Sequence, residues 1–411
     1  MKENEKNIEI DGTVYNRKNP LIIAELGTSH NGDITRAKLM IDAASDCGAD
    51  CVKLQMVFAD EILHPNTGEV PLPGGKIRLY DKFKALELEE NFYIELKNYI
   101  ESKGLLFLCT PFGLKSAKIL HEMAVKMIKI ASPELNFTSL LEEIAKWGIP
   151  TLLSTGVSTL NDIETAVNII KEEFTLRHKD TKNAEEEEGR LNSVCSSPSF
   201  PLGDLGALAR DSSPNLCLLH CVTSYPAPET DYNLRVLPFL ASKFGVSAGV
   251  SDHSKDPVLV PALAVSMGAA AIEKHFCLSR NDPGLDDPIA LEPQEFSKMV
   301  KAVRLAAKEG SDETIQKLSS ERGSALIEQI LGNGIKELAP SEKENYSRTN
   351  RSIHALRDIQ KGETLKKCDY AVLRTEKILR PGLEPYWENQ IEGKIAKNFI
   401  PSGEGIRMED I

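Results

Sequence analysis

No apolar run in this chain reaches the roughly 18 residues that a membrane-spanning helix needs. The opening stretch, MKENEKNIEIDG, is polar and lacks the apolar core of a signal peptide. Cysteine is scarce: eight residues in 411 are too few for a disulfide scaffold. Most of them, including Cys51, Cys109, Cys217, Cys221 and Cys277, lie in or beside apolar runs and read as buried reduced thiols. Cys217 and Cys221 are spaced CxxxC beside His220, but no second thiol pair accompanies them, so no zinc site is read. Positive charge is in deficit, with 49 Lys and Arg against 61 Asp and Glu, a net charge of −12. That balance argues against nucleic acid or an anionic membrane surface as partner, though not against a small anionic substrate in a cleft. These absences together point to a cytoplasmic globular protein.

The glycine-rich phosphate turn of an open dinucleotide-binding sheet is also missing. ELGTSHNGD, after the first strand-like run, carries two glycines and no GxGxxG. What is present is an alternation of short apolar runs with helical patterns. Strands are expected near 21–26, 50–56, 105–109, 126–131, 150–154, 216–222, 246–251 and 270–276. Helices are expected at 35–47, 90–103, 114–124, 137–147, 159–173, 258–267 and 293–309. Eight such units predict an α/β fold, a (β/α)8 TIM barrel. The barrel domain is expected over 1–335. Within it, the polar segment 176–214 exceeds an ordinary connection and reads as a mostly disordered surface insertion. Residues 336–350 read as a linker to a small β-rich domain over 351–411. There RSIHALRDIQKGETL and GKIAKNFIPSGEGI show weak mutual similarity, which suggests two related β-turn-β pieces.

In a barrel of this kind the ends of the strands carry the chemistry. Glu25 ends the first strand, Lys53 and Gln55 alternate on the second, and Thr110 closes the third. Lys129, Ser132 and Glu134 mark the fourth, Ser154 the fifth and Tyr225 the loop after the sixth. Ser251, Asp252 and His253 end the seventh strand and His275 the eighth. Lys53 and Lys129 stand inside apolar strands, where a lysine is costly unless an anion is near. Together they point to an anion-binding cavity, with Ser132, Ser154 and Thr110 as hydroxyl donors. A Schiff-base aldolase could also use such a lysine. His253 and His275, on neighbouring strands, can converge on one divalent cation that polarises a carbonyl oxygen, with Glu25 as base toward a water.

In this order IIAELGTSHNGD, GADCVKLQ, CTPF, IKIASPEL, LLSTG, LLHCVTSYPAP, GVSDHS and EKHF resemble the sialic acid synthase family. The C-terminal piece is similar to that family's antifreeze-like, or SAF, domain. The resemblance implies condensation of phosphoenolpyruvate with an N-acylated amino sugar to a nine-carbon 2-keto acid and phosphate. It implies that Lys53, Thr110, Lys129, Ser132, Ser154 and Ser251 bind phosphoenolpyruvate. His253 and His275 would hold Mn2+ or Mg2+, and Glu25 would act on the attacking water. Gln55, Glu134, Tyr225 and Asp286 would face the acceptor. Thr223 stands where such synthases often have Asn. An arginine of the SAF domain, Arg380 in LRPG ahead of Arg374, would reach a partner's site, so a domain-swapped homodimer is expected. N-acetylmannosamine is the default acceptor, and a 6-deoxy diamino sugar leading to legionaminic or pseudaminic acid is the rival. A sugar-phosphate sensor without turnover is the reading from another class.

Overall fold

Aliphatic runs with period-two alternation form the frame of the protein, seen in a computed structural model that describes residues 6–72, 75–192 and 214–411. Eight parallel strands arise: β1 (Leu21–Gly27), β2 (Cys51–Met56), β3 (Leu106–Pro111) and β4 (Ile128–Ile130). They continue with β5 (Thr151–Ser154), β6 (Leu216–Cys221), β7 (Ser247–Asp252) and β8 (Ala271–His275). Their order in the sheet is β3-β2-β1-β8-β7-β6-β5-β4, and β3 also lies beside β4, so the sheet curves round into a TIM-like barrel. All eight expected strands are present, within a residue or two at their ends for most of them.

The alternation decides which residues see the barrel interior. One face of the strands points outward: Ile22, Ala24 and Leu26 on β1, Val52 and Leu54 on β2 and Ile272 on β8 pack into the main core under the helices. The other face begins apolar, with Leu21, Ile23, Cys51, Leu108, Leu152, Cys217, Leu219 and Ala271 clustered inside the barrel. Ile8, Ile10 and Tyr15, from the hairpin Ile8–Ile10 and Thr13–Tyr15, join this inner cluster at the bottom end. Each such aliphatic side chain, fully buried, contributes about 1.5–3 kcal/mol. Two residues further along each strand the same inward face becomes polar: Glu25 follows Ile23, Lys53 follows Cys51, Thr110 follows Leu108, and Ser154 follows Leu152.

The helices on the outside are α1 (Ile34–Asp46), α2 (Glu90–Ser102), α3 (Leu114–Glu122) and α4 (Thr138–Trp147). They are followed by α5 (Leu160–Asn192), α6 (Val236–Phe244), α7 (Leu259–Ser266) and α8 (Pro293–Glu309). Asp33 caps α1 by accepting from the backbone N–H of Thr35 and Arg36 at 2.8 and 3.1 Å. Helix α6 has no counterpart in the sequence reading. Its Pro238 looks like a breaker, but in the first turn a proline removes no helical hydrogen bond. Helix α5 runs to Asn192, so the early part of the segment expected to be irregular is helical. Residues 193–213 of that expected insertion lie outside the described residues. Among the described residues no helix is long and apolar enough to cross a membrane, and Cys51, Cys109, Cys217, Cys221 and Cys277 are buried free thiols.

The small C-terminal domain is built on β9 (Arg351–Ala355) paired antiparallel with β10 (Tyr370–Arg374). Its two similar pieces face one another: Ile359 and Ile400 exchange both backbone hydrogen bonds, each at 2.9 Å. The stretch read as the interdomain linker also binds the barrel. Glu342, Asn345 and Asn350 hydrogen-bond to loops on the strand C-terminal side, and Tyr346 to Asp162 in the first turn of α5.

Candidate active site

One oxygen of Glu273 organises the polar end of the barrel. Glu273 Oε1 accepts from Lys53 Nζ at 2.8 Å, Lys129 Nζ at 3.2 Å and Ser251 Oγ at 2.8 Å. Lys53 Nζ also lies 3.3 Å from Glu25 Oε2, and Gln55 Nε2 donates to Glu25 Oε1 at 2.7 Å. All of these side chains except Gln55 are buried. Register explains the meeting: Glu25 lies opposite both Lys53 and His275, and Ser251 lies opposite Glu273. Glu273 escaped the sequence reading, although its place two residues before His275 puts it on the same inward face.

Charge in this layer is set by burial against pairing. Burial opposes an ammonium at Lys53, yet the Glu25 and Glu273 carboxylates outweigh it and hold the lysine protonated above its ordinary value. Burial also works against Glu273, but Lys129 and Lys53 keep its carboxyl well below the usual range. For Glu25 burial wins over the pull of Lys53, with Glu273 repelling it, and its pKa rises to about 7.

Around this core stand polar atoms with no partner among the described residues. Thr110 Oγ1, Ser154 Oγ, Glu134 Oε2 and Glu273 Oε2 are buried and accept or donate no hydrogen bond. Such atoms cost free energy unless something else satisfies them. Two ammonium groups and unpaired hydroxyls are the donor set an anionic ligand requires. Ser132 Oγ is turned instead toward the loop after β5, accepting from Gly156 N–H at 3.0 Å.

Beside the charged layer, the rings of His253 and His275 lie 5.5 Å apart, and Tyr225 stacks on His253 at 4.3 Å. His253 Nδ1 is 2.8 Å from the Val222 carbonyl, which only accepts, so this nitrogen carries a proton and Nε2 is the one that could hold a ligand. Asp286 Oδ2 lies 3.8 Å from His275 Nδ1. Among the described residues no three His, Cys, Asp or Glu side chains converge as a metal cage. The two imidazoles are the residues that could hold a divalent cation, its other positions being left to substrate and water. Asp252 turns out of the barrel, where its carboxylate pairs with buried Lys274 at 2.6 Å.

The rim nearest the small domain is dominated by Glu134. Arg351 and Arg374 both donate to its Oε1, at 2.8 and 2.7 Å between the closest atoms. Arg351 is fully buried and also donates to the carbonyls of Glu61, Phe112 and Val372. Arg374 lies over the Phe112 ring. Of Arg374 and Arg380, Arg374 is the one that meets this chain's own barrel. Arg380 is held inside the small domain by Asp410 at 2.5 Å and the Gly405 carbonyl at 3.0 Å. Both arginines at Glu134 reach the barrel of their own chain. Thr223 is held by its backbone, and its Oγ1 sits in the space a Cβ on Gly156 would enter, 2.3 Å away.

Comparison with known proteins identifies the family. Residues 40–314 match the family model described as the NeuB family, and residues 350–411 match the SAF domain. N,N'-diacetyllegionaminic acid synthase of Campylobacter jejuni is 30% identical over 397 residues, 95% of this chain and 99% of its own length. The structure of the spore coat polysaccharide biosynthesis protein SpsE from Bacillus subtilis superposes with a TM-score of 0.75 at 30% identity, covering 98% of this chain and 99% of that one. An N-acetylneuraminic acid synthetase from Leptospira borgpetersenii, solved in complex with citrate, gives a TM-score of 0.60 at 30% identity over 83% of this chain and 95% of that one. The chain belongs to the NeuB family and carries its SAF domain at the C-terminus.

Proposed function

We propose that this protein is a cytoplasmic enzyme that condenses phosphoenolpyruvate with the open-chain aldehyde of an N-acylated amino sugar, releasing phosphate and a nine-carbon 2-keto acid. The observation that carries the reading is the inward layer of Lys53, Lys129 and unpaired Thr110 and Ser154 hydroxyls beneath a pair of histidines. The phosphate and carboxylate of phosphoenolpyruvate satisfy those donors, and binding displaces the lysines in part from Glu273. Carbon 3 of phosphoenolpyruvate then bonds to the aldehyde carbon, whose oxygen takes up a proton to become a hydroxyl; water adds at carbon 2, and the tetrahedral adduct breaks its C–O bond as its hydroxyl proton passes to the departing phosphate. Glu25 takes the proton from that water, a role suited to a carboxyl whose pKa is about 7. No covalent nucleophile is needed, because placement of charge lowers the barrier. A divalent cation, Mn2+ or Mg2+, held by His253 and His275 would supply Lewis-acid polarisation of the aldehyde oxygen.

On the acceptor side, Glu134 Oε2 is a buried acceptor without a donor, and Gln55, Asp286 and Tyr225 stand near the same opening. Those groups suit the hydroxyl and amide N–H groups of an N-acylated sugar. N-acetylmannosamine is the first acceptor to test. A 6-deoxy diacetamido sugar is the second, favoured by the likeness to the Campylobacter jejuni synthase along nearly the whole chain. In a homodimer that exchanges small domains, Arg351 and Arg374 would meet the partner's barrel instead; light scattering that returns one chain's mass for active protein excludes it. The deciding assay is phosphate release from phosphoenolpyruvate with Mn2+, across both acceptors, with a chelator control. Release that needs one acceptor supports the reading and names the product. No release from folded protein with either acceptor overturns it in favour of a binding protein without turnover.

A further inference from the structure

The segment between the two domains grips the active-site loops by their backbones. Glu342 is buried, and its Oε1 accepts from Val157 N–H at 2.8 Å and Thr223 N–H at 2.7 Å. The carbonyls of the same two residues are held by the same segment: Asn350 Nδ2 donates to Val157 O at 3.2 Å, and Asn345 Nδ2 to Thr223 O at 3.4 Å. Each loop residue is thus held at both its N–H and its carbonyl. Val157 has φ +44°, a conformation that β-branched residues avoid and that persists only where surroundings impose it.

What these loops carry gives the grip its consequence. Gly156, next to Val157, donates to Ser132 Oγ and lies two residues past Ser154. Thr223 lies two residues before Tyr225, the ring stacked on His253. Gly156 and Thr223 are packed so closely that no Cβ fits between them. A carboxylate shared by both loops therefore sets the spacing between the two sides of the opening, and backbone amides bind a carboxylate more strongly than a neutral acceptor.

We propose that Glu342 is a positioning residue for the condensation: by clamping Val157 and Thr223 it holds the loops after β5 and β6 in the arrangement that receives the acceptor sugar. The proposal rests on the synthase reading above. It extends the role of the interdomain segment from connection to assembly of the site. The same carboxyl accepts from Ala339 N–H at 3.1 Å, so a purely local role in its own turn is the competing explanation.

Steady-state kinetics and amide hydrogen exchange on the full-length protein separate the two. Glu342→Ala is expected to raise the acceptor KM by about tenfold or more while the phosphoenolpyruvate KM stays within about threefold. Glu342→Gln, which keeps the shared oxygen, should recover most of that loss. Ser341→Ala removes a bond from the same turn to Asp231 (2.7 Å), farther along the loop after β6, but leaves both amides that Glu342 holds untouched, and should change the acceptor KM by less than about twofold. Exchange at the Val157 and Thr223 amides should quicken by about tenfold or more in Glu342→Ala. Unchanged exchange overturns the clamp. Faster exchange with an unchanged acceptor KM, or an equal KM rise in Ser341→Ala, overturns the positioning role. If Glu342→Ala fails to fold, Asn350→Ala, which frees the Val157 carbonyl and, within its own segment, the Ser347 N–H, must still raise the acceptor KM; no change overturns the proposal. A wild type that releases no phosphate with any acceptor refutes the synthase reading, while the exchange measurement still decides the clamp.

Discussion

Arg374 reaches across the domain boundary to Glu134, setting both Nε and Nη2 on a single carboxylate oxygen at 3.0 and 2.7 Å and leaving the other oxygen without a donor. The barrel rim and the small domain thus share one buried charge. If the free oxygen is where the acceptor sugar binds, the arginine aims that carboxylate. Arg374→Ala should raise the acceptor KM by about tenfold and leave the phosphoenolpyruvate KM within about twofold. Arg374→Lys should not restore it, because an ammonium cannot make the paired contact.

Arg351, on the same oxygen, is an anchor rather than a substrate contact. Its guanidinium is buried and bonded to Glu134 and to three carbonyls from separate segments. Arg351→Met leaves those carbonyls unsatisfied and Glu134 with half its compensation. Removing one member of a buried ion pair costs about 3–5 kcal/mol. With Arg374 still in place, the lower end of that range is expected from urea unfolding.

Glu273 makes the lysine layer soluble in the barrel. Lys53→Ala should cut phosphate release by about a hundredfold or more, as loss of a charge aimed at the reacting group does. Glu273→Gln should also lower activity, since Lys53 loses its stronger partner and Lys129 its ion-pair partner. Retention of full activity in both variants would refute the assignment of this layer.

The pH profile tests Glu25. As a base it must be ionised, so kcat/KM should rise with pH through an inflection near the value of about 7 that burial imposes. Glu25→Gln should abolish both the activity and the inflection. Stability carries the opposite sign. A carboxyl whose folded pKa is raised loses stability as pH climbs from its ordinary value of 4.5 toward about 7. Glu25→Gln should flatten that part of the curve in thermal unfolding.

The cation proposed at His253 and His275 gives a further test. Chelation should abolish phosphate release and Mn2+ should restore it. His275→Ala should weaken Mn2+ binding by about tenfold or more in titration calorimetry, a readout independent of turnover.

Much of this architecture was legible in order along the chain. Strand recurrence gave eight βα units, and period-two alternation placed Lys53 beside the cavity and Ser154 two residues past an inward Leu152. The same logic reaches Glu273 from His275, although it passes unnoticed in EKHF because a Glu-Lys pair reads as surface. Helix α6 was hidden by a proline that the first helical turn tolerates.

The sequence by itself determined which side chains face the barrel interior, because strand periodicity is a local property that survives in one dimension. It also determined the family, through motifs that recur at the strand ends. Only the tertiary structure decided which arginine meets Glu134 and that Glu342 holds two loops at once. Arg380 and Arg374 are both plausible along the chain, but the packing of β10 on the barrel brings Arg374 to Glu134 and leaves Arg380 on Asp410. Glu342 lies more than a hundred residues from either loop it binds. Contacts of that kind depend on where whole elements come to rest, which no local pattern encodes.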